Sequence, residues 1–455
     1  MMHIHIFDKM QVTHTYNPTA HTVLFHIRSD DTATPPTPLV HRTPRRCTTL
    51  KESTFRILLP DSIESFDTIH NDVWALVVLL VVFPFVRTEL RLSFGVSKEF
   101  ALGYSEHCGK SIVPINPVLD RRSASHPSHP SVAFNGRMHS FLTAVVLGPA
   151  SRLVAMDHWD SMLGERTSPY PPDVLYYAMD KMESKGHRVC LLKTDIQSLY
   201  EPYGFAHPIT SVLGNVLFAD ALQLGSVHMG CRLDDMSAYG AYRVEQKKRS
   251  TNIRITVDGE LSVPSRCVSF RDEQLYVHQH KQPELTLPFW RNMLQLVGIK
   301  IDFPLCGVSD VLLVKLLAEH KLWHEANYCL YSRPLKRCGE CLECLYYNTL
   351  HTSVTTHSVN IDQLWQQFTD KYPEATTSVS DIDTPCRWNM FWLEMVRRDD
   401  MTPVQTRGFD ILCAYRKVYQ QRKFVVNSMK HIVADAHYDR VRCGLGRVMG
   451  VLSHR

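Results

Sequence analysis

The chain lacks a long apolar run. Its longest, Val73 to Val86, has 14 residues and contains Pro84, short of the roughly 18 to 20 that cross a bilayer, so it is expected as a helix or strand inside a globular core. An excess of charge of one sign is missing as well. Lys plus Arg is 50 and Asp plus Glu is 46, a net charge of +4 over 455 residues, which argues against a chain-wide attraction to nucleic acid or membrane. The opening MMHIHIFDKM has no apolar h-region and no small-residue cleavage site, and the 13 cysteines are odd in number. Together these point to a reducing, cytoplasmic setting in which thiols stay reduced or hold metal. The sequence contains no Gly-x-Ser-x-Gly elbow, no Walker lysine loop and no His-Glu-x-x-His helix, so serine hydrolase, P-loop NTPase and metalloprotease readings gain no support. What is present is 44% hydrophobic content, enough for two to three domains with at least one sizeable core.

The most specific pattern is CLYSRPLKRCGECLECL, which carries Cys329, Cys338, Cys341 and Cys344. Two successive x2 spacings with a fourth thiol upstream allow four sulfurs to converge on one tetrahedral Zn²⁺, a cation that favours soft ligands. Four ligands close the site, so the metal is structural and keeps no position open for water. Gly339 suits the tight turn of a zinc knuckle, and Lys336 and Arg337 lie close enough in sequence to offset thiolate charge. The competing reading is four buried thiols.

Residues 1 to about 66 alternate short apolar and polar stretches around a Thr/Pro-rich segment near Thr32 to Pro44, a small β-rich region with a loose insert. His3 and His5 are either metal-binding neighbours on one strand face or part of a solvated N-terminus. Asp72 is placed to cap a buried helix over Val73 to Phe83, with a strand near Leu90 to Phe94 and a helix over Lys98 to His107. From Val113 to Pro130 four prolines, serines and Arg121-Arg122 read as a linker.

After the linker a strand (Ser131 to Phe134), a turn and a helix (Ser140 to Leu147) open a repeating pattern. Strands follow at Arg152 to Met156, Arg188 to Leu192 and Ser226 to Met229, and helices at Pro172 to Ser184 and Ser211 to Leu224. Such alternation predicts an α/β fold, a parallel sheet flanked by helices. Ligands then sit beyond the carboxyl ends of the strands, on a rim formed by Asn135 to Ser140, Asp157, Asp195 and Gly230 to Asp235. Residues 233 to 284, with alternating stretches at Ile253 to Val257 and Arg266 to Phe270, read as a β-insert, in which Lys247-Lys248-Arg249 is either a phosphate contact or a solvated loop. Helices are expected over Leu287 to Val297 and from Ser309 or Asp310 through Leu317. The region from Asn360 onward reads as helical, with segments near Ile361 to Phe368, Trp388 to Val396 and Arg407 to Met429. The domains expected are residues 1–130, 131–350 with the zinc loop 329–344, and a helical 351–455.

The strand, glycine turn and helix at 131–147, followed by the Cys329, Cys338, Cys341, Cys344 loop near the end of the same unit, resemble the 7-cyano-7-deazaguanine synthase (QueC-like) branch of the PP-loop ATP pyrophosphatases. That resemblance implies an adenine nucleotide alpha-hydrolase-like, Rossmann-like fold, a four-cysteine structural zinc and a Ser-Gly-Gly-x-Asp-Ser loop for the ATP phosphates. It also implies queuosine-type 7-deazaguanine chemistry, in which a carboxylate is adenylated and ammonia then gives an amide and a nitrile. At the loop positions this chain has Asn135, Gly136, Arg137, Met138, His139 and Ser140. One glycine and the last serine remain. Arg137 stands where the family has glycine, and His139 replaces a carboxylate that could help handle Mg²⁺, for which neutral imidazole is a poor ligand.

Three functions therefore compete. The first is a zinc-containing nucleotide-binding relative, weakened or inactive as a pyrophosphatase, with ATP or AMP, Mg²⁺ and a deazapurine as the ligands implied. The second is an active carbon–nitrogen ligase of the synthase type, and the third a zinc-dependent nucleic-acid-binding protein. Weaker candidates are Asp157, His158 and Asp160, either an acid/base or metal cluster or an exposed turn, and the carboxylate pair Asp234-Asp235.

Overall fold

The computed structural model describes residues 7–29, 39–43, 46–50, 52–123, 129–158, 172–201, 204–205, 207–230, 242–246, 253–257, 263–265 and 287–305, with single positions and short runs between 313 and 355. The chain divides into two compact units. One comprises Met1–Asn135, Leu147–Met229 and Val277–Asp302, and the other Gly136–Val146, Gly230–Tyr276 and Phe303–Arg455.

The first unit is built on a ten-stranded sheet. Five of its strands are β8 (His129–Phe134), β9 (Arg152–His158), β10 (Arg188–Thr194), β12 (Leu224–His228) and β16 (Lys300–Asp302). They lie parallel in the order β16-β12-β8-β9-β10. The other five are β1 (Phe7–Asn17), β2 (Thr22–Ser29), β5 (Thr54–Leu58), β6 (Val86–Val96) and β7 (Ser111–Ile115). They continue the sheet as β5-β2-β1-β6-β7. β5 runs antiparallel to both β10 and β2, β2 antiparallel to β1, and β1, β6 and β7 are parallel to one another. The sheet is thus mostly parallel, and it takes strands from both sides of the proline-rich stretch at 113–130. A small sheet adds β3 (Leu39–Thr43), β4 (Arg46–Leu50) and β11 (Tyr200–Glu201).

The apolar run of the sequence becomes α1 (Asn71–Val82), buried on every side from Val73 to Val82. A helix with apolar residues all round has no solvent face, so its end groups need partners from the protein. Tyr200 donates its hydroxyl to the Val81 carbonyl at 2.8 Å and Thr210 donates to that of Leu80 at 2.8 Å. At the other end His70, and not Asp72, is the N-cap: its Nδ1 accepts from the Asp72 amide at 3.1 Å. No helix among the described residues is long and apolar enough to cross a membrane.

The helix α2 (Lys98–Cys108) opens at Ser97, whose hydroxyl accepts from Phe100 N, and closes at Gly109 in the left-handed region (φ 69°). Glycine takes that conformation without a Cβ penalty. Residues 111–115 form an edge strand although Pro114 favours a linker by composition, because an edge strand needs no donor on its outer side. Arg121 and Arg122, also read as linker, end the helix α6 (Leu287–Leu296): Arg121 donates to the carbonyls of Gln295 and Leu296, and Arg122 to that of Val297 and to both carboxylate oxygens of Asp220.

Further along, α3 (Met138–Leu147) follows β8 in the chain, and α4 (Pro172–Ser184) has the bounds the sequence predicts. The helix expected over Ser211 to Leu224 is shorter. A 3-10 turn at Pro208–Val212 leads into α5 (Leu213–Leu217), after which Gln223 adopts φ 53° and reverses the chain. Leu224 and Gly225 therefore start β12. The helix α6 (Leu287–Leu296) and β16 complete this unit, and β16 escapes a periodicity reading because three residues show no alternation.

In the second unit the expected β-insert is a three-stranded antiparallel sheet of β13 (Tyr242–Gln246), β14 (Ile253–Val257) and β15 (Val263–Ser265). Trp323 and His351 stack at 4.2 Å between ring centroids. His3, His5, Asp160, Asp234, Asp235, Lys247 to Arg249, Arg266 to Phe270 and the helices expected beyond residue 360 lie outside the described residues.

Candidate functional site

Numbered by their order in the chain, the five parallel strands β8, β9, β10, β12 and β16 lie in the spatial order 3-2-1-4-5. Neighbouring β8 and β12 are the point from which successive strands depart in opposite directions. In open α/β sheets ligands bind beyond the carboxyl ends of the strands at such a reversal. On this edge Asn135 follows β8 and is exposed, Asp157 is the penultimate residue of β9, and Asp195 follows β10. Both carboxylates are engaged within the unit. Asp157 accepts from the Tyr176 hydroxyl at 2.7 Å, and burial with this bond pushes the phenol up to about 12. Asp195 accepts from Arg56 N at 2.5 Å, and burial holds its carboxyl above the usual range despite that bond.

A buried polar chain that the sequence did not single out runs beneath the same edge. Asn215 donates to the Ser131 hydroxyl at 2.9 Å, which donates to the Ser226 carbonyl at 2.8 Å. His228, fully buried, has Nδ1 at 3.0 Å from the Ser131 carbonyl, so this nitrogen carries the proton; Nε2 lies 3.6 Å from Asp302 Oδ2. Only the three-dimensional pairing of β12 with β16 brings His228 to Asp302, so no local sequence signal could have found the pair.

The loop Gly136–Ser140 belongs to the second unit. Gly136 has φ 71°, a left-handed turn that glycine makes without strain, and α3 starts two residues later. Phe141 N closes the first helical bond on the Arg137 carbonyl at 2.8 Å, and the buried Ser140 donates its hydroxyl to that carbonyl at 3.1 Å. Gly230 lies against the same turn. A Cβ there would stand 2.6 Å from the His139 carbonyl carbon and 2.7 Å from Ser140 N, closer than side-chain carbons come to backbone. Two glycines thus shape this helix entry, one by conformation and one by close approach, and Met138 and Ser140 within it are buried.

The turn is also tied to the cysteine stretch. Arg137 and Asn327 form a parallel bridge in which Met138 N donates to the Asn327 carbonyl at 2.9 Å and Asn327 N to that of Gly136 at 3.4 Å. The Asn327 side chain then holds Cys329 from both sides, its Oδ1 accepting from Cys329 N and its Nδ2 donating to the Cys329 carbonyl, each at 3.0 Å. Cys329 and Cys344 are both buried. Cys338 and Cys341 lie outside the described residues, and among the described residues no three metal-binding side chains converge. Cys344 closes a C-x2-C-x2-C run and Cys329 lies nine residues upstream of that run, a set of thiols that fits a soft-metal site in donor chemistry.

A family model matches here. It is described as a family of unknown function (DUF6395) and covers residues 289–385. No curated protein and no solved structure matches the chain. The DUF6395 stretch begins within α6 and takes in Asn327 and all four cysteines, whereas the Asn135–Ser140 loop precedes it.

Proposed function

We propose that the chain is a zinc-containing, QueC-like nucleotide-binding protein, cytoplasmic, that holds ATP or AMP at the Gly136–Ser140 turn and is weakened as an ATP pyrophosphatase. The supporting observation is the 3-2-1-4-5 strand order in which the first strand, β8, leads straight into a glycine turn and a helix N-terminus. An adenine nucleotide alpha-hydrolase-like reading of the sheet rests on the same order. Helix N-termini favour anionic groups because their first amides point outward and carry partial positive charge. Gly136 turns the chain into this helix without a Cβ, and Ser140, whose hydroxyl bonds to the Arg137 carbonyl, ends the loop.

The weakening is argued from the same residues. Arg137 adds a side chain where close approach is needed, though its guanidinium can itself pair with phosphate. His139 supplies no carboxylate for Mg²⁺, and Met138 N is committed to the Asn327 carbonyl. Binding of a nucleotide tolerates these changes better than catalysis, which is sensitive to errors of position. The four thiols Cys329, Cys338, Cys341 and Cys344 would hold one Zn²⁺, which supplies cross-linking of the chain and no open coordination position.

Calorimetric titration with ATP and with AMP, beside assays of pyrophosphate release with candidate carboxylic acids and ammonia, tests the reading. Nucleotide binding is expected without efficient pyrophosphate release, and the combined Asn135→Ser, Arg137→Gly, His139→Asp variant is expected to raise release. Absence of any nucleotide binding would refute the reading, and rapid substrate-dependent AMP formation by the unmodified chain would establish the active ligase instead. Metal analysis is expected to find one Zn²⁺ per chain, lost or weakened in Cys341→Ser.

A further inference from the structure

The zinc cluster and the glycine turn are separate motifs in the sequence, almost 200 residues apart, yet one side chain and its own backbone join them. Asn327 faces both. Its main chain forms the parallel bridge to Arg137, holding Met138 N and the Gly136 carbonyl, while its side chain brackets the backbone of Cys329. We infer that Asn327 is a positioning residue through which a metal bound at Cys329 holds the 136–138 turn in its left-handed conformation. The inference rests on the zinc reading of the four cysteines.

The physical argument is one of constraint. Gly136 is the residue with the most backbone freedom to lose, so a turn built on it stays ordered only where neighbours over-determine it. Here the neighbour is a main-chain bridge from Asn327. Its rigidity depends in turn on what fixes Asn327, and the two side-chain bonds to Cys329 pass the order of a metal-held cysteine backwards by two residues. Without metal the two side-chain bonds to the buried Cys329 remain, but the cross-link that would tie that cysteine to the other thiols is gone, and the bridge is less firmly fixed. Metal loading is thereby coupled to the readiness of the turn for an anion, and the coupling is reciprocal: an anion on the turn favours metal at the cysteines.

Hydrogen exchange on the full chain tests this, read at two amides. Met138 N bonds to the Asn327 carbonyl and reports the turn; Met229 N bonds to the Asp302 carbonyl at 3.0 Å within the first unit and reports the folding of that unit. Stripping metal with a chelator is expected to reduce Met138 protection roughly tenfold, the worth of one to two hydrogen bonds, with Met229 unchanged. Metal-loaded Asn327→Ala is expected to lose the same protection while retaining one zinc per chain. Asn327→Asp, which keeps the acceptor for Cys329 N, is expected to restore most of it. As a spectroscopic check, the d–d bands of Co²⁺-substituted protein are expected to shift on adding ATP, and not to shift in Asn327→Ala. Unchanged Met138 protection in metal-loaded Asn327→Ala would overturn the inference with the zinc reading intact. A wild-type chain without stoichiometric zinc would overturn both.

Discussion

Two strand-to-helix turns in this molecule solve the same problem in opposite ways. Between β6 and α2, the Ser97 hydroxyl accepts from Phe100 N, and the fully buried Asp72 accepts from Ser97 N at 2.8 Å and from its hydroxyl at 2.7 Å. Side chains fill that helix entry. Between β8 and α3 the turn is made by Gly136, approached by the backbone at Gly230 and bridged by the main chain of Asn327. A helix entry plugged by a carboxylate has already met its anion and serves the fold. One shaped by glycine and backbone relies on main-chain contacts, and it is the turn at which nucleotide binding is proposed.

The contrast is open to attack at each turn, beginning with the larger effect. Asp72→Ala leaves Ser97 with two buried donors and no acceptor. It is expected to destabilise the protein by about 3 kcal/mol in urea unfolding, while the native fraction binds ATP as before. Next, Gly136→Ala and Gly109→Ala place a Cβ on left-handed backbone with φ of 71° and 69°, and each is expected to cost about 1 to 2 kcal/mol. Only Gly136→Ala is expected to weaken ATP binding by calorimetry, because Gly109 merely closes α2 and open space surrounds it. Equal effects on binding would erase the distinction between the turns.

The smallest effect concerns Asp195, a carboxylate at the end of β10 that joins the structural class. Burial raises its carboxyl above the unfolded value, so between those two pH values the native chain holds a proton that the unfolded chain has released. Stability contributed by the protonated form is present at low pH and lost as pH rises through the raised value. Asp195→Asn keeps an acceptor for Arg56 N and is expected to gain a little stability at neutral pH and to flatten the acid limb of the stability profile. A loss at neutral pH, together with lost ATP binding, would move Asp195 to the functional class.

The strands, helices and parallel arrangement of residues 129–229 were legible because apolar alternation and helical spacing are local properties, and α4 shows it with both ends as read. Val73–Val86 was legible as buried from length and Pro84 alone. What escaped was set by contacts between distant segments. Asp72 looks like an N-cap in sequence, yet its partner is Ser97, and His70 takes the capping role because its ring can reach Asp72 N. Pro114 looks like a linker residue until the strand that contains it is known to be an edge. Asn327 carried no signal at all, since neither a bridge to Arg137 nor a bracket around Cys329 has a sequence period. The strand order and the entry of β1, β2 and β5 into the same sheet were likewise invisible to a reading that moves along the chain.

The junction of β5 with β10 has a kinetic meaning. It rests on two residue pairs, Lys193 with Leu58 and Thr194 with Ile57, reinforced where Thr194 donates to the Arg56 carbonyl across 138 positions of sequence. Closing so long a loop costs chain entropy before any contact rewards it. The strips β7-β6-β1-β2-β5 and β10-β9-β8-β12-β16 are therefore expected to acquire their order separately during folding and to join late. In the native ensemble the same short seam is where hydrogen exchange is expected to show the first opening of the sheet.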